Sequence, residues 1–292
     1  MELPDLRKIT IDKIHAHFLQ NKNVQFDVLR LDKIHPVISG NKWFKLKYHL
    51  DNFNAGNFKG IITFGGAWSN HIVATACASY LQKIKCIGII RGERPEQFSN
   101  TLFEAANYEM DLKFISRDAY AQKNSTEFLD SIKKEFPEHY IIPEGGAGKE
   151  GEKGADEILQ YADGKNYTHI ACAVGTGTML KGIREAASSN QNILGVVVLK
   201  GWKEENKTND TEMFLSYHFG GYAKYDQTLI NFMNEFFRLT NIPADFVYTG
   251  KLAFALFDLI KKDHFSPGSK ILMIHSGGLQ GNVSLQKGSL IF

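Results

Sequence analysis

The chain has 292 residues, 43% of them hydrophobic and 23% charged, a length and balance that bury one large or two ordinary cores and exclude a disordered chain. Its 34 Lys and Arg against 32 Asp and Glu leave a formal charge of +2, both signs being spread along the chain, so no electrostatic case exists for nucleic acid or a membrane surface as partner. The opening MELPDLRKITIDKIHAHF is charged throughout, and no apolar run nears the roughly 18 residues of a membrane span; a cytoplasmic location is expected. Cys77, Cys86 and Cys172 are odd in number and far apart, which points to small buried side chains rather than a disulfide framework or a thiolate metal site.

Short β-branched runs alternate with amphipathic stretches, the pattern of an α/β protein. Residues 24–30 read as a strand, Ser39-Gly-Asn-Lys42 as a turn and 43–53 as a helix. Residues 60–64 form a strand, Gly65-Gly66 a turn and 69–81 a helix with small residues on its packing face. The unit then repeats, with strands at 85–91 and 112–115 and helices at 100–110 and 125–136, up to a Gly-rich boundary at 143–148. Beyond it come a helix at 151–161, a strand at 169–174, a helix at 179–187 and an unbroken apolar strand at 193–199, as parallel sheets produce. Residues 200–225 are polar and aromatic and read as a long surface excursion. Helices at 227–239 and 251–262 and a last strand at 270–275 complete the chain, which ends its final unit in Ser276-Gly277-Gly278.

Ligands of open α/β sheets collect where strands end and helices begin, because free N–H groups and the helix dipole favour an anion there. Gly175-Thr176-Gly177-Thr178 follows a strand and opens a helix, and its two glycines and two hydroxyls suit a phosphate. The spacing of Gly175, Gly177 and Gly182 is not the GxGxxG of a dinucleotide site, Lys200 stands where a ribose-binding acid belongs, and no P-loop is present. A glycine-rich turn without a ligand remains an alternative on spacing alone. Ser69-Asn70-His71 converges a hydroxyl, an amide and helix N–H groups on one point, or simply caps the helix. Lys42 sits in the first turn of a helix, where the dipole disfavours a cation; a lowered pKa there suits a Schiff-base amine, a solvated surface lysine being the plainer alternative. His275-Ser276-Gly277-Gly278 aims a small hydroxyl at the same sheet edge.

Taken together, Gly-Asn-Lys with Lys-Leu-x-Tyr, Gly-Gly-x-x-Ser-Asn-His, the Gly/Thr loop, Val-Tyr-Thr-Gly-Lys and His-Ser-Gly-Gly resemble, from about Phe26 to Gly278, the pyridoxal-phosphate (PLP) enzymes 1-aminocyclopropane-1-carboxylate (ACC) deaminase and D-cysteine desulfhydrase. The resemblance implies a tryptophan-synthase-β-like fold of type II, with mainly parallel sheets in a large domain (1–44 and 141–292) and a small one (45–140), and a homodimer. It implies Lys42 as the cofactor's lysine, Lys45 near the phosphate, Gly175, Thr176, Gly177 and Thr178 around it, and Asn70 at the 3-oxygen. Ser69, Asn70 and His71 would hold the carboxylate of a small amino acid, Ser69 could relay a proton, Tyr248 and Tyr222 match two active-site tyrosines, and Ser276 faces the pyridine nitrogen.

A carboxylate at the pyridine nitrogen makes the ring a strong electron sink, whereas a hydroxyl does so weakly and suits elimination of a β-leaving group. Ring-opening members of the family resemble Val-Tyr-Glu-Gly and His-Leu-Gly-Gly; this chain has Thr249 and Ser276. The expected reaction is therefore D-cysteine desulfhydrase-like, giving pyruvate, ammonia and sulfide, with ACC deamination as the alternative. Trp68 and Phe44 depart from the family pattern, the 200–225 segment is short for it, and Trp68 is the motive for a further alternative, a PLP-binding homologue without turnover. The 10 His are scattered without HExxH spacing, and no GxSxG elbow exists, which speaks against a metal centre and a serine hydrolase.

Overall fold

A computed structural model describes residues 2–162, 166–202 and 211–292. The α/β pattern is present as two sheets. Strands β1 (Ile11–Ile14) and β2 (Gln25–Arg30), with the short helix α1 (His17–Asn21) between them, form an antiparallel pair that the sequence reading resolved only in part. After α2 (Asn41–Ala55) come β3 (Gly60–Gly65), α3 (Asn70–Leu81), β4 (Lys85–Arg91), α4 (Asn100–Asn107), β5 (Asp111–Ile115), α5 (Arg117–Ala121), α6 (Thr126–Glu135) and β6 (His139–Ile142). Their four strands make a parallel sheet in the order β5-β4-β3-β6.

The second sheet takes its remaining strands from α7 (Lys149–Asp156), β7 (His169–Val174), α8 (Thr178–Ala186), β8 (Asn192–Val197), β9 (Thr211–Phe214), α9 (Gln227–Thr240), α10 (Thr249–Lys261) and β10 (Lys270–His275). Its order is β1-β2-β10-β7-β8-β9, parallel except for β1. Two readings change. The helix expected over 151–161 is α7 followed by a 3-10 turn at Glu157–Tyr161. The surface excursion expected over 200–225 holds the edge strand β9, while residues 203–210 lie outside the described part.

Both sheets are covered, so their central strands need no alternation: β3 is buried at every position and β10 from Ile271 to His275. Helix α3 is buried from Asn70 through Ser79, its Ala74, Ala76 and Ala78 allowing neighbours to approach from all sides. The order of the larger sheet brings the two ends of the chain together. His275 pairs in register with Arg30, so the loop after β10 meets the turn that precedes α2. Gly40 has φ +61°, and a Cβ there would fall 1.9 Å from the carbonyl oxygen of Ser276; only glycine permits this approach. Asn41 N–H then donates to that same oxygen at 3.2 Å. Beneath the contact, the buried Arg30 holds Asp32 at 2.6 Å and Asp12 at 2.7 Å, and Asp32 faces His275 at 3.3 Å. Burial works to raise the Asp32 pKa, but His275 and Arg30 outweigh it and keep the carboxyl below its ordinary range.

Candidate active site

The four glycine-rich strand ends open into one cavity of about 450 Å³, walled by residues that follow strands of both sheets. Lys42, Lys45, Ser69, Asn70, His71, Gly175, Thr176, Gly177, Tyr222, Tyr248 and Ser276 all reach its wall. Thr178 does not. It is the first residue of α8, buried, with its hydroxyl 3.1 Å from that of Thr176. Gly177 caps that helix at φ +85°, a left-handed position that turns the strand end back into α8.

Lys42 is the second residue of α2, at the positive end of the dipole. Its Nζ donates to Asn41 Oδ1 at 3.1 Å and lies 5.8 Å from the centroid of the Tyr248 ring. Burial lowers its pKa to about 8, against the opposing pull of the Asp245 charge. Lys45, one turn on, is 5% exposed, and burial followed by the Lys42 charge drives its pKa well below the lysine range. Two amines thus face one cavity, both inclined to lose a proton unless an anion joins them.

At the start of α3, Ser69 accepts the Ile72 N–H at 3.4 Å. Thr63 donates its hydroxyl proton to Ile142 O at 3.0 Å, so it accepts from His71 Nε2 at 2.7 Å. That fixes the tautomer and leaves Nδ1 as a lone pair. Burial and the two lysine charges push the His71 pKa well below its usual value. His71 Nδ1 and Asn70 Oδ1 are buried without hydrogen-bond partners among the described residues. A ligand in the adjoining cavity would supply the partners that these two atoms lack.

Tyr248 is set by a residue that the sequence reading did not single out. Asp245 is fully buried, and its Oδ2 accepts the N–H groups of Val247 and Tyr248, each at 2.9 Å. Its Oδ1 accepts Thr249 N–H at 2.8 Å and the Thr249 hydroxyl at 2.6 Å. Asp245 therefore caps α10 and fixes the backbone at Tyr248. Burial raises the Asp245 pKa, opposed by its Thr249 and Tyr248 donors and by His275. Burial, then Tyr222 and Asp245, also hold the Tyr248 hydroxyl well above the usual phenol value. Tyr222, 38% exposed, stands edge-on to Tyr248 with ring centroids 6.1 Å apart and donates to Trp68 O at 3.5 Å. Thr249 itself is fully buried on Asp245 and takes no part in the wall, whereas Ser276 does.

Arg91 and Glu144 also reach the wall. Glu144 is held by the Tyr120 hydroxyl at 2.8 Å and Lys123 at 3.3 Å, and Arg91 lies over the Tyr120 ring at 6.0 Å. Arg91 ends β4 and Glu144 follows β6, the one signal that could have pointed to them.

No family model matches the chain. Among curated proteins, one of Pyrococcus furiosus provisionally named 1-aminocyclopropane-1-carboxylate deaminase is 30% identical over 278 residues, covering 84% of this chain and 82% of its own. This chain belongs to the ACC deaminase/D-cysteine desulfhydrase family. The bifunctional D-cysteine desulfhydrase/ACC deaminase of Arabidopsis thaliana is 29% identical over 84% of this chain and 70% of its own. The crystal structure of an ACC deaminase homologue superimposes with a TM-score of 0.81 at 24% identity, covering 97% of this chain and 92% of that one. The fold is accordingly that of the family, type II, as the motif order implied. Sequence resemblance and backbone thus agree.

The wall fits the family's cofactor. A glycine and hydroxyl loop at the start of α8 with a buried lysine suits a phosphate, a half-buried amine of lowered pKa suits a carbonyl carbon, and orphaned Asn70 and His71 atoms await polar groups.

Proposed function

We propose that this protein is a PLP-dependent lyase that deaminates a small amino acid, with β-elimination from D-cysteine to pyruvate, ammonia and sulfide as its reaction. The observation that carries this reading is the meeting of Lys42 and Ser276 in one cavity with, among the described residues, no free carboxylate beside Ser276. Asp245, behind Gly278, has both oxygens engaged by the cap of α10, and Glu144 is engaged by Tyr120 and Lys123. When bound, PLP supplies an electron sink for the bond breaking at the substrate's α-carbon. Ser276 would offer that group a hydroxyl where a carboxylate would strengthen the sink, which suits a substrate whose β-thiol departs at once.

The chain's own residues divide the remaining work. Lys42 holds the cofactor and, with a pKa of about 8, exchanges a proton near neutral pH. Lys45 with Gly175, Thr176 and Gly177 holds the phosphate end, Thr178 acting only through the Thr176 hydroxyl, and Asn70 holds the ring's 3-oxygen. Ser69, Asn70 and His71, at the N-terminus of α3, hold the substrate carboxylate, with Ser69 in place to relay a proton. Tyr248, its hydroxyl kept protonated, polarises the leaving group and Tyr222 supports it. The division into lobes 1–44 with 141–292 and 45–140, a homodimer and a cytoplasmic location belong to the same proposal; among the described residues no helix is long and apolar enough to cross a membrane.

The PLP-loaded protein should form pyruvate and sulfide from D-cysteine and little or no 2-oxobutanoate from ACC, measured by product analysis of separate incubations. Rapid 2-oxobutanoate formation would replace this reading with ACC deamination. Bound PLP with no product from either would favour the homologue without turnover. Tyr248→Phe is expected to lower kcat on D-cysteine by about 10²-fold, the lower end of what a positioned proton-transfer group supplies, with KM little changed. Full activity in that variant removes Tyr248 from the reaction.

A further inference from the structure

Lys251, in the first turn of α10, is fully buried. Its Nζ donates to the carbonyl oxygens of His218 at 2.8 Å and Gly221 at 2.7 Å. Each of those carbonyls already closes a turn, since Gly221 N–H reaches His218 O at 3.0 Å and Lys224 N–H reaches Gly221 O at 3.2 Å. One ammonium group therefore staples two consecutive turns.

Those turns are strained. Phe219 and Ala223 both have φ of 52°, with Gly220 at 91° and Gly221 at 120° between and beside them. Left-handed backbone at non-glycine residues persists only where its surroundings over-determine it. Here the surroundings come from α10, which supplies the Lys251 ammonium and, one turn on, Phe254, edge-on to Phe219 with centroids 4.9 Å apart. Tyr222 lies between the strained residues and, with Ala223, reaches the cavity. Its partner across the mouth, Tyr248, precedes α10 directly.

We propose that Lys251 is a positioning residue: through the double turn at 218–224 it sets Tyr222 against Tyr248 at the cavity mouth. The effect on turnover rests on the function proposed above, whereas the clamp on the turns does not. This accounts for a lysine inside the Val-Tyr-Thr-Gly-Lys motif that never touches the cavity.

The test uses the PLP-loaded protein with Lys251→Met, and Lys251→Gln as the milder replacement should the first not fold. Hydrogen exchange read by mass spectrometry is expected to quicken about tenfold or more across 219–224 while α3 and β7 keep parental rates, because a local opening has lost its clamp. In D-cysteine turnover, the double variant with Tyr222→Phe should lose no more kcat than Lys251→Met alone, since both act through the same hydroxyl. Parental exchange at 219–224, faster exchange throughout the chain, or a multiplicative loss in the double variant overturns the proposal. An enzyme inert towards every amino acid that still shows the local change in exchange would sink the proposed function and leave the clamp standing.

Discussion

Lys42→Ala is expected to lower turnover of D-cysteine by about 10⁴-fold or more, the upper end of what one positioned proton-transfer group contributes, and to remove the visible absorbance of the PLP-loaded protein. The size of the effect follows from two duties placed on one amine. Lys42 stands in the cavity at the head of α2, half-buried and with a pKa of about 8, so it is partly neutral near physiological pH and able both to bond a carbonyl carbon and to take up a proton. Lys45 stands one turn further along the helix, more deeply buried, and in the proposed arrangement it serves the phosphate end and does not substitute. A Lys42→Ala protein with the parental spectrum and rate would transfer the role to another lysine.

Asp245→Ala is expected to lower stability by about 4 kcal/mol, read as a fall in Tm of roughly 6 °C for a chain of this length, and to reduce kcat about tenfold or more with it. The carboxylate accepts three backbone N–H groups and one hydroxyl, all at a buried helix start. Alanine leaves those donors without partners, at about 1–3 kcal/mol for each one that finds no substitute, and unties the residue before α10 that carries the phenol. Asp245→Asn keeps one acceptor oxygen and should lie between the two. An unchanged Tm in the alanine variant would mean that the cap of α10 does not depend on Asp245.

Much of this architecture was legible in the residues because the long elements bury whole faces. The runs that became β3, β7 and β10 have no polar alternation, and glycine pairs mark the ends of β3 and β10, so both strand type and site position could be read. What escaped notice was short or worked through the backbone. The strands β6 and β9 have four residues each, too few for a period to show, and β9 sits in text rich in charge. The helix expected from 151 tightens into a 3-10 turn at Glu157, a difference of hydrogen-bond pattern that side-chain spacing does not encode. Asp245 and Lys251 act on main-chain groups; an acid four residues before Thr249, and a lone lysine entering the apolar Leu252-Ala-Phe-Ala-Leu256, were the available signals. Thr249 was placed correctly in its motif, but its hydroxyl is turned to Asp245, which a linear pattern cannot show.

The claim on which the rest depends is that the amine of Lys42, among residues gathered from both ends of the chain, carries the cofactor. Borohydride reduction of the PLP-loaded protein, followed by digestion and peptide mass spectrometry, tests it directly by fixing the cofactor to its lysine. The account predicts one modified tryptic peptide, Ile34–Lys45, with the added mass on Lys42, where cleavage is blocked. Modification of Lys45, Lys251 or a surface lysine in its place, or no modification at all, would contradict it.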